Sequence, residues 1–105
     1  MSEERHRAQR YAFNATVELT HVTSGAEVRE RTADISVFGC HVKTANPWPV
    51  GTKVRIRIVH GGASFAALGT VAYGKANEGM GLAFGKIEPN QQLILDRWIA
   101  ELRRH

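Results

Sequence analysis

From Tyr11 onward the chain alternates. Tyr11, Phe13, Ala15, Val17 and Leu19 fall on one face, and Ala12, Asn14, Thr16 and Glu18 on the other, the period of a half-buried strand. Ser24-Gly25 marks a turn. A second strand is expected from about Glu27 to Ile35, with poor alternation and no clear register. Ser36-Val37-Phe38-Gly39 turns the chain. Cys40, Val42 and Thr44 then alternate with His41 and Lys43 in a short third strand. The segment Asn46-Pro47-Trp48-Pro49-Val50-Gly51 reads as a loop, because its prolines cannot donate to a ladder. The clearest strand sets Val54, Ile56 and Ile58 against Lys53, Arg55 and Arg57. Gly61-Gly62 reads as a tight turn, Ser64 to Tyr73 as a fifth strand, and Met80, Leu82 and Phe84 as a sixth, after a turn at Asn77-Glu78-Gly79.

After Pro89 the period changes. Leu95, Trp98, Ile99 and Leu102 follow the i, i+3, i+4, i+7 spacing of an amphipathic helix, with Asn90 as the expected N-cap and arginine in the last turn, where it suits the helix dipole. Six short strands separated by turn signals predict an all-β protein with one C-terminal helix. The expected architecture is a six-stranded antiparallel β-barrel, capped at one end by the α-helix. Residues 1–10 are polar and charged without apolar periodicity, so they read as a flexible basic arm ahead of a barrel-and-helix unit at 11–105.

The 105 residues suit one domain with one modest core. No apolar run approaches the roughly 20 residues that cross a bilayer, so no membrane association is expected. The stretch Met1-Ser2-Glu3-Glu4-Arg5-His6-Arg7 lacks the apolar segment of a secretory signal. A single cysteine, Cys40, excludes an internal disulfide and fits a reducing cytoplasm; on its strand it reads as a small core residue. The five histidines (His6, His21, His41, His60, His105) show no metal-ligand spacing.

Charge adds a direction. Fourteen Lys and Arg against ten Asp and Glu give a net charge of +4, which favours an anionic partner in a general way. Arg5, Arg7 and Arg10 crowd the arm. Lys53, Arg55 and Arg57 make a basic row, ordinarily a solvated face, that could also meet nucleic acid or a protein. Trp98 belongs to the helix stripe, whereas Trp48, between two prolines, could cover a barrel mouth or touch a partner.

The most informative stretch is Asp34-Ile35-Ser36-Val37-Phe38-Gly39. Asp34 and Ser36 are two apart at a strand end, so both can face one side while Ile35 points inward. Gly39 permits a positive φ or a close backbone approach. The bland alternative is a plain turn in which Asp34 and Ser36 bond only nearby backbone. In Arg5-His6-Arg7-Ala8-Gln9-Arg10 the guanidinium groups can grip phosphate bidentately or pair with the O6/N7 edge of guanine, or else form a solvated tail. Asp34, Ser36 and His41 lack an oxyanion hole or nucleophile elbow, which argues against a hydrolase.

Together the two segments resemble the PilZ domain family, whose members bind cyclic di-GMP. That family is marked by Arg-x-x-x-Arg ahead of the first strand and Asp/Asn-x-Ser-x-x-Gly after the second. Asp34, Ser36 and Gly39 match the second motif at every defined position. The proline-bearing loop and strand from Asn46 to Ile58 are similar to the family, as is Gly79-Met80-Gly81-Leu82-Ala83-Phe84 leading into a helix. Four residues before Arg10 stands His6 where the first motif has arginine, flanked by Arg5 and Arg7. Either arginine could serve after a one-residue shift, or His6 could act as a weaker donor. One lost bidentate contact corresponds to about 1.5–3 kcal/mol, roughly tenfold to a hundredfold in affinity.

The resemblance implies a bacterial, non-enzymatic receptor with no cofactor other than its ligand, cyclic di-GMP. Arg10 would contact a phosphate or a guanine, with Arg5, His6 and Arg7 beside it. Asp34 would accept from the guanine N–H edge, Ser36 would help hold the phosphate side, and Gly39 would keep the turn open. Binding would change the surface shown to a downstream protein. The alternative is a degenerate PilZ-like adaptor that has lost the nucleotide and acts by protein–protein interaction. Single-stranded nucleic acid binding ranks below both, because no aromatic residue interleaves the basic row.

Overall fold

The computed structural model describes residues 8–104, which fold into seven strands and one helix. In chain order these are β1 (Tyr11–Ala12), β2 (Thr16–His21), β3 (Glu27–Ile35), β4 (Gly39–Lys43), β5 (Lys53–His60), β6 (Ala63–Lys75), β7 (Gly79–Phe84) and α1 (Pro89–Arg103). The sheet runs β1-β3-β2-β5-β6-β7-β4, and β4 pairs back onto β3. Six antiparallel strands therefore close into a barrel, with β1 attached to β3 as a seventh. Closure leaves β4 with a partner on each side, which removes most of the open edge a flat sheet would show. No helix among the described residues is long and apolar enough to cross a membrane.

Alternation fills the core as the sequence predicts. Val17 and Leu19 of β2, Val54, Ile56 and Ile58 of β5, and Cys40 and Val42 of β4 all point inward and are fully or nearly fully buried. The β5–β6 hairpin closes through Gly61 and Gly62 with φ of 60° and 80°, the left-handed conformation that two-residue hairpin turns need and glycine adopts without strain.

The expected first strand is split. Tyr11–Ala12 pairs with Ile35 and Asp34, whereas Thr16–His21 pairs with Glu27–Arg31 and with β5. Between them two backbone bonds remain, Phe13 N–H to the Ala33 carbonyl at 3.0 Å and Thr32 N–H to the Ala15 carbonyl at 2.9 Å, and side chains replace the rest of the regular ladder. Thr32 Oγ1 accepts the Ala15 N–H at 2.9 Å and donates to the Phe13 carbonyl. Arg31 binds the Asn14 amide oxygen at 2.8 Å, the Asn14 carbonyl at 3.1 Å and Thr16 Oγ1 at 2.8 Å. Phe13 and Ala15 keep their inward phase and stay buried, so the burial pattern survives although the strand does not.

Asn90 is not the N-cap. The helix begins at Pro89, whose missing N–H costs nothing in the first turn, and the capping residue is Glu88, without a side-chain cap bond. The Gln91 and Gln92 N–H groups both donate to the Glu88 carbonyl at 2.9 Å. Leu95, Trp98 and Ile99 form the buried stripe. Trp98 sits 5.5 Å from Phe13 and 5.6 Å edge-on to His60. β6 pairs with β7 only from Gly69 onward, and α1 packs over β6. There Gln91 Oε1 accepts the Ala66 N–H at 2.7 Å, in place of a strand neighbour.

The buried Thr32 hydroxyl holds two strands together, so Thr32→Val should destabilise the fold although it preserves volume. Each backbone group left unpaired costs about 1–3 kcal/mol. Urea denaturation of the variant should show a lower midpoint with an unchanged slope; an unchanged midpoint would mean that water replaces the hydroxyl.

Candidate functional site

Two β-bulges decide which side chains reach the outer wall. In β3 the inward phase runs through Val28, Glu30 and Thr32, matching Leu19 and Val17 across the ladder. Regular alternation would next turn Asp34 inward. Instead the register with β4 shifts between Thr32 and Asp34. One extra residue reverses the side-chain phase: Ile35 enters the core and Asp34 emerges, while the Ala33 carbonyl accepts the Phe13 N–H at 3.0 Å. In β6 a second shift, between Val71 and Tyr73, does the same. Val71 is buried and Tyr73 is turned out.

The registers then align these residues. Ala12 opposes Asp34, Asp34 opposes His41, His41 opposes Gly81, and Gly81 opposes Tyr73. This makes one outer row across β1, β3, β4, β7 and β6. His41 Nδ1 lies 3.1 Å from the Tyr73 hydroxyl, and the rings stack at 5.8 Å and 29°. Gly81 is required beneath them, because a Cβ there would overlap the Tyr73 ring. Tyr73 carries no motif signal in the sequence, since its outward position depends on the bulge.

Arg10, two residues before Ala12, extends the row. Its Nη1 donates to Asp34 Oδ1 at 2.9 Å, with the two side chains 51% and 28% exposed. Three residues back along β3 and two on along β4, Arg31 and Lys43 oppose each other across the ladder, both exposed. Lys43 adds positive charge beside the row, while the Arg31 guanidinium is turned toward Asn14 and Thr16. Nothing in the linear sequence brings Lys43 to the row; only the register does.

Ser36 differs from the expectation of a hydroxyl beside Asp34 on the outer rim. It is buried, and its Oγ accepts the Phe38 N–H at 3.1 Å and lies 3.5 Å from the Gly39 carbonyl. Its own N–H donates to that carbonyl at 2.8 Å. The local-turn alternative thus describes Ser36 but not Asp34. Of the two uses foreseen for Gly39, close approach applies: a Cβ there would overlap the Leu82 carbonyl oxygen. Phe38 is held by its backbone at both ends, its carbonyl accepting the Phe84 N–H at 2.8 Å, and its ring is 45% exposed at the turn tip. Arg5, His6 and Arg7 lie outside the described residues.

Other candidates fall elsewhere. Trp48 is half-buried and packs edge-on to His21 at 5.2 Å. Among the described residues no group of His, Cys, Asp and Glu could hold a metal. Cys40 lies in the core directly behind Asp34 and His41, and its thiol is pushed up to about 12, mainly by burial and secondarily by the Asp34 charge, with Arg10 opposing.

The PilZ domain model matches residues 4–101, and the chain belongs to the PilZ domain family. Among solved structures it is similar to the PilZ domain of CeSA from a cellulose synthesizing bacterium, at 21% identity over 91% of this chain and 99% of that one, with a TM-score of 0.73. It is similar to the YcgR PilZ domain from Escherichia coli, solved with c-di-GMP, at 20% identity over 95% and 92% of the two chains, TM-score 0.72. The Bacillus subtilis inhibitor of motility MotI/DgrA matches at 18% identity and TM-score 0.72, over 90% of this chain and 49% of that one. At these identities the likeness speaks to the fold. No curated protein sequence matches the chain.

Burial of the Cys40 thiol has a direct consequence. At pH 8 a thiol reagent such as dithionitrobenzoate should leave Cys40 unmodified in the native protein and react stoichiometrically in denaturant. Rapid native-state labelling would contradict the closed packing of β4 against β7.

Proposed function

We propose that this domain is a receptor that binds cyclic di-GMP on the outer row built from Arg10 and Asp34, with the basic arm folding over the ligand, and that it acts on a partner protein without catalysis. The observation that carries this reading is the Arg10–Asp34 ion pair. It brings one residue of each family motif to the same point of the wall, 2.9 Å apart.

Magnitudes favour exchange. An exposed ion pair contributes roughly 0.2–1 kcal/mol. A phosphate gripped by a guanidinium forms charge-assisted bonds, each about 1.5–3 kcal/mol. An arriving phosphate therefore draws Arg10 away, and the released Asp34 carboxylate accepts from the guanine N–H edge. The long contact from Ser36 Oγ to the Gly39 carbonyl is weak enough that its proton can turn to a phosphate while the oxygen keeps the Phe38 N–H. Tyr73, braced on Gly81 and His41, offers a ring face for a base. Arg5 and Arg7 supply further positive charge to a doubly anionic ligand, and His6 stands at the remaining motif position. Phosphate neutralisation makes the affinity fall with added salt.

His6 in place of arginine favours one second reading, an adaptor that has lost the nucleotide. Isothermal titration separates the two. The receptor reading expects saturable binding of cyclic di-GMP and none of GMP or GTP. Arg10→Ala and Asp34→Ala should each weaken binding at least about tenfold, and His6→Arg should strengthen it by roughly tenfold to a hundredfold. Absence of binding in both the parent and His6→Arg would leave the adaptor.

A further inference from the structure

The basic row on β5 does not face open solvent alone. Beside it a groove of about 570 Å³ runs between the outer face of β2, β5 and β6 and the segment 86–91 leading into α1. Its walls carry Arg55, Arg57 and Lys86, with Glu18 and Glu88 as the carboxylates, and its apolar floor includes Leu68. Leu68 is 55% exposed and is the direct cross-strand neighbour of Arg55. Among the described residues neither Arg55 nor Lys86 has a side-chain hydrogen-bond or ion-pair partner, in contrast to Lys53, which reaches Thr70 Oγ1 at 3.3 Å. Glu18 is shared between Arg57 at 2.9 Å and Arg29 at 3.0 Å. Those two hydrogen bonds, Arg57 first, hold its carboxyl below the usual value, so it is ionised at neutral pH and remains paired with Arg29 if Arg57 turns away.

We propose that this groove docks an extended, acidic and partly apolar segment of a partner protein. The row of Arg57 and Ala66 and the row of Arg55 and Leu68 are successive outward rows of the β5–β6 ladder, about 6.8 Å apart. A strand-like segment running along β5 presents its same-side residues at that spacing. A segment lying edge-on over the β5–β6 ladder turns one set of alternate side chains, the carboxylates, toward Arg55 and Arg57 on β5, and the other, apolar set toward Leu68 and Ala66 on β6. Lys86 faces the segment from the opposite wall. Nucleic acid fits this surface less well. No aromatic ring lines the groove to stack a base, and a continuous phosphate track would meet Glu18 and Glu88. The nucleotide row lies across β3, β4, β7 and the far half of β6, so the two surfaces can be occupied together, and this proposal stands independently of the nucleotide reading.

The test uses the full chain and a short fluorescein-labelled peptide alternating glutamate with leucine, read by fluorescence anisotropy. Its controls are the same peptide with lysine for glutamate, the same peptide with serine for leucine, and an oligothymidine of equal length. Saturable binding of the Glu/Leu peptide is expected, at least about tenfold tighter than any control and weakened by salt. Arg55→Glu and Leu68→Ser should each reduce it at least about tenfold, while both variants keep the parent's circular dichroism and its response to cyclic di-GMP. No saturable binding up to millimolar peptide overturns the proposal. So does binding that survives both substitutions, since the peptide then sits elsewhere, and so does tighter binding of the oligothymidine, which makes the surface one for nucleic acid.

Discussion

The site depends on a reversal of side-chain phase in β3. A strand exposes alternate residues, and Glu30 and Thr32 already lie on the inward phase opposite Val17 and its neighbours. Only the extra residue at Ala33 lets Ile35 follow Thr32 into the core and puts Asp34 outside. An uninterrupted strand would bury a carboxylate, which is costly without a partner, and would leave an isoleucine on the surface. The bulge therefore serves stability and builds the candidate site at once. It is held by the Phe13–Ala15 segment, through the Thr32 hydroxyl to Phe13 and Ala15 and the Ala33 carbonyl to the Phe13 N–H.

The same arrangement ties the arm to the rest of the molecule. β1 is only two residues long, yet it follows Arg10, pairs with Ile35 and Asp34, and carries Tyr11, whose hydroxyl accepts from Arg103 Nε at 3.2 Å. A change at Arg10 is thus one residue from a contact with the end of α1. Both the Arg10–Asp34 pair and the Tyr11–Arg103 bond are exposed. Such contacts exchange readily for a ligand, unlike the buried bonds of Thr32.

Much of this was legible in the sequence because it depends on local chemistry. Alternation located the barrel strands, the helical spacing of Leu95, Trp98, Ile99 and Leu102 located α1, and Asp34, Ser36 and Gly39 identified the family through residue types at fixed spacing. What escaped depends on pairing between distant segments. The first strand reads as continuous because Phe13 and Ala15 remain buried, although Arg31 and Thr32 interrupt its ladder. The irregular alternation of β3 was visible, but the bulge that causes it becomes apparent only against β4. Tyr73 and Lys43 join the site through register, and Ser36 turns away from the outer rim because the turn itself needs its oxygen. Asn90 has the chemistry of a cap, but Pro89 starts the helix, which moves the cap two residues back to Glu88.

The central claim is that the ligand occupies the outer row by replacing the Arg10–Asp34 ion pair. Its most direct test is an NMR titration of the isotopically labelled domain with cyclic di-GMP, following backbone amides together with the Arg10 guanidinium and Asp34 carboxylate resonances. The account predicts that both side-chain signals shift with the amides of Ala12, Asp34 to Gly39, His41, Tyr73 and Gly81, while those of Arg55 and Leu68 stay in place. Saturable binding that leaves the Arg10 and Asp34 side-chain signals unmoved would contradict it.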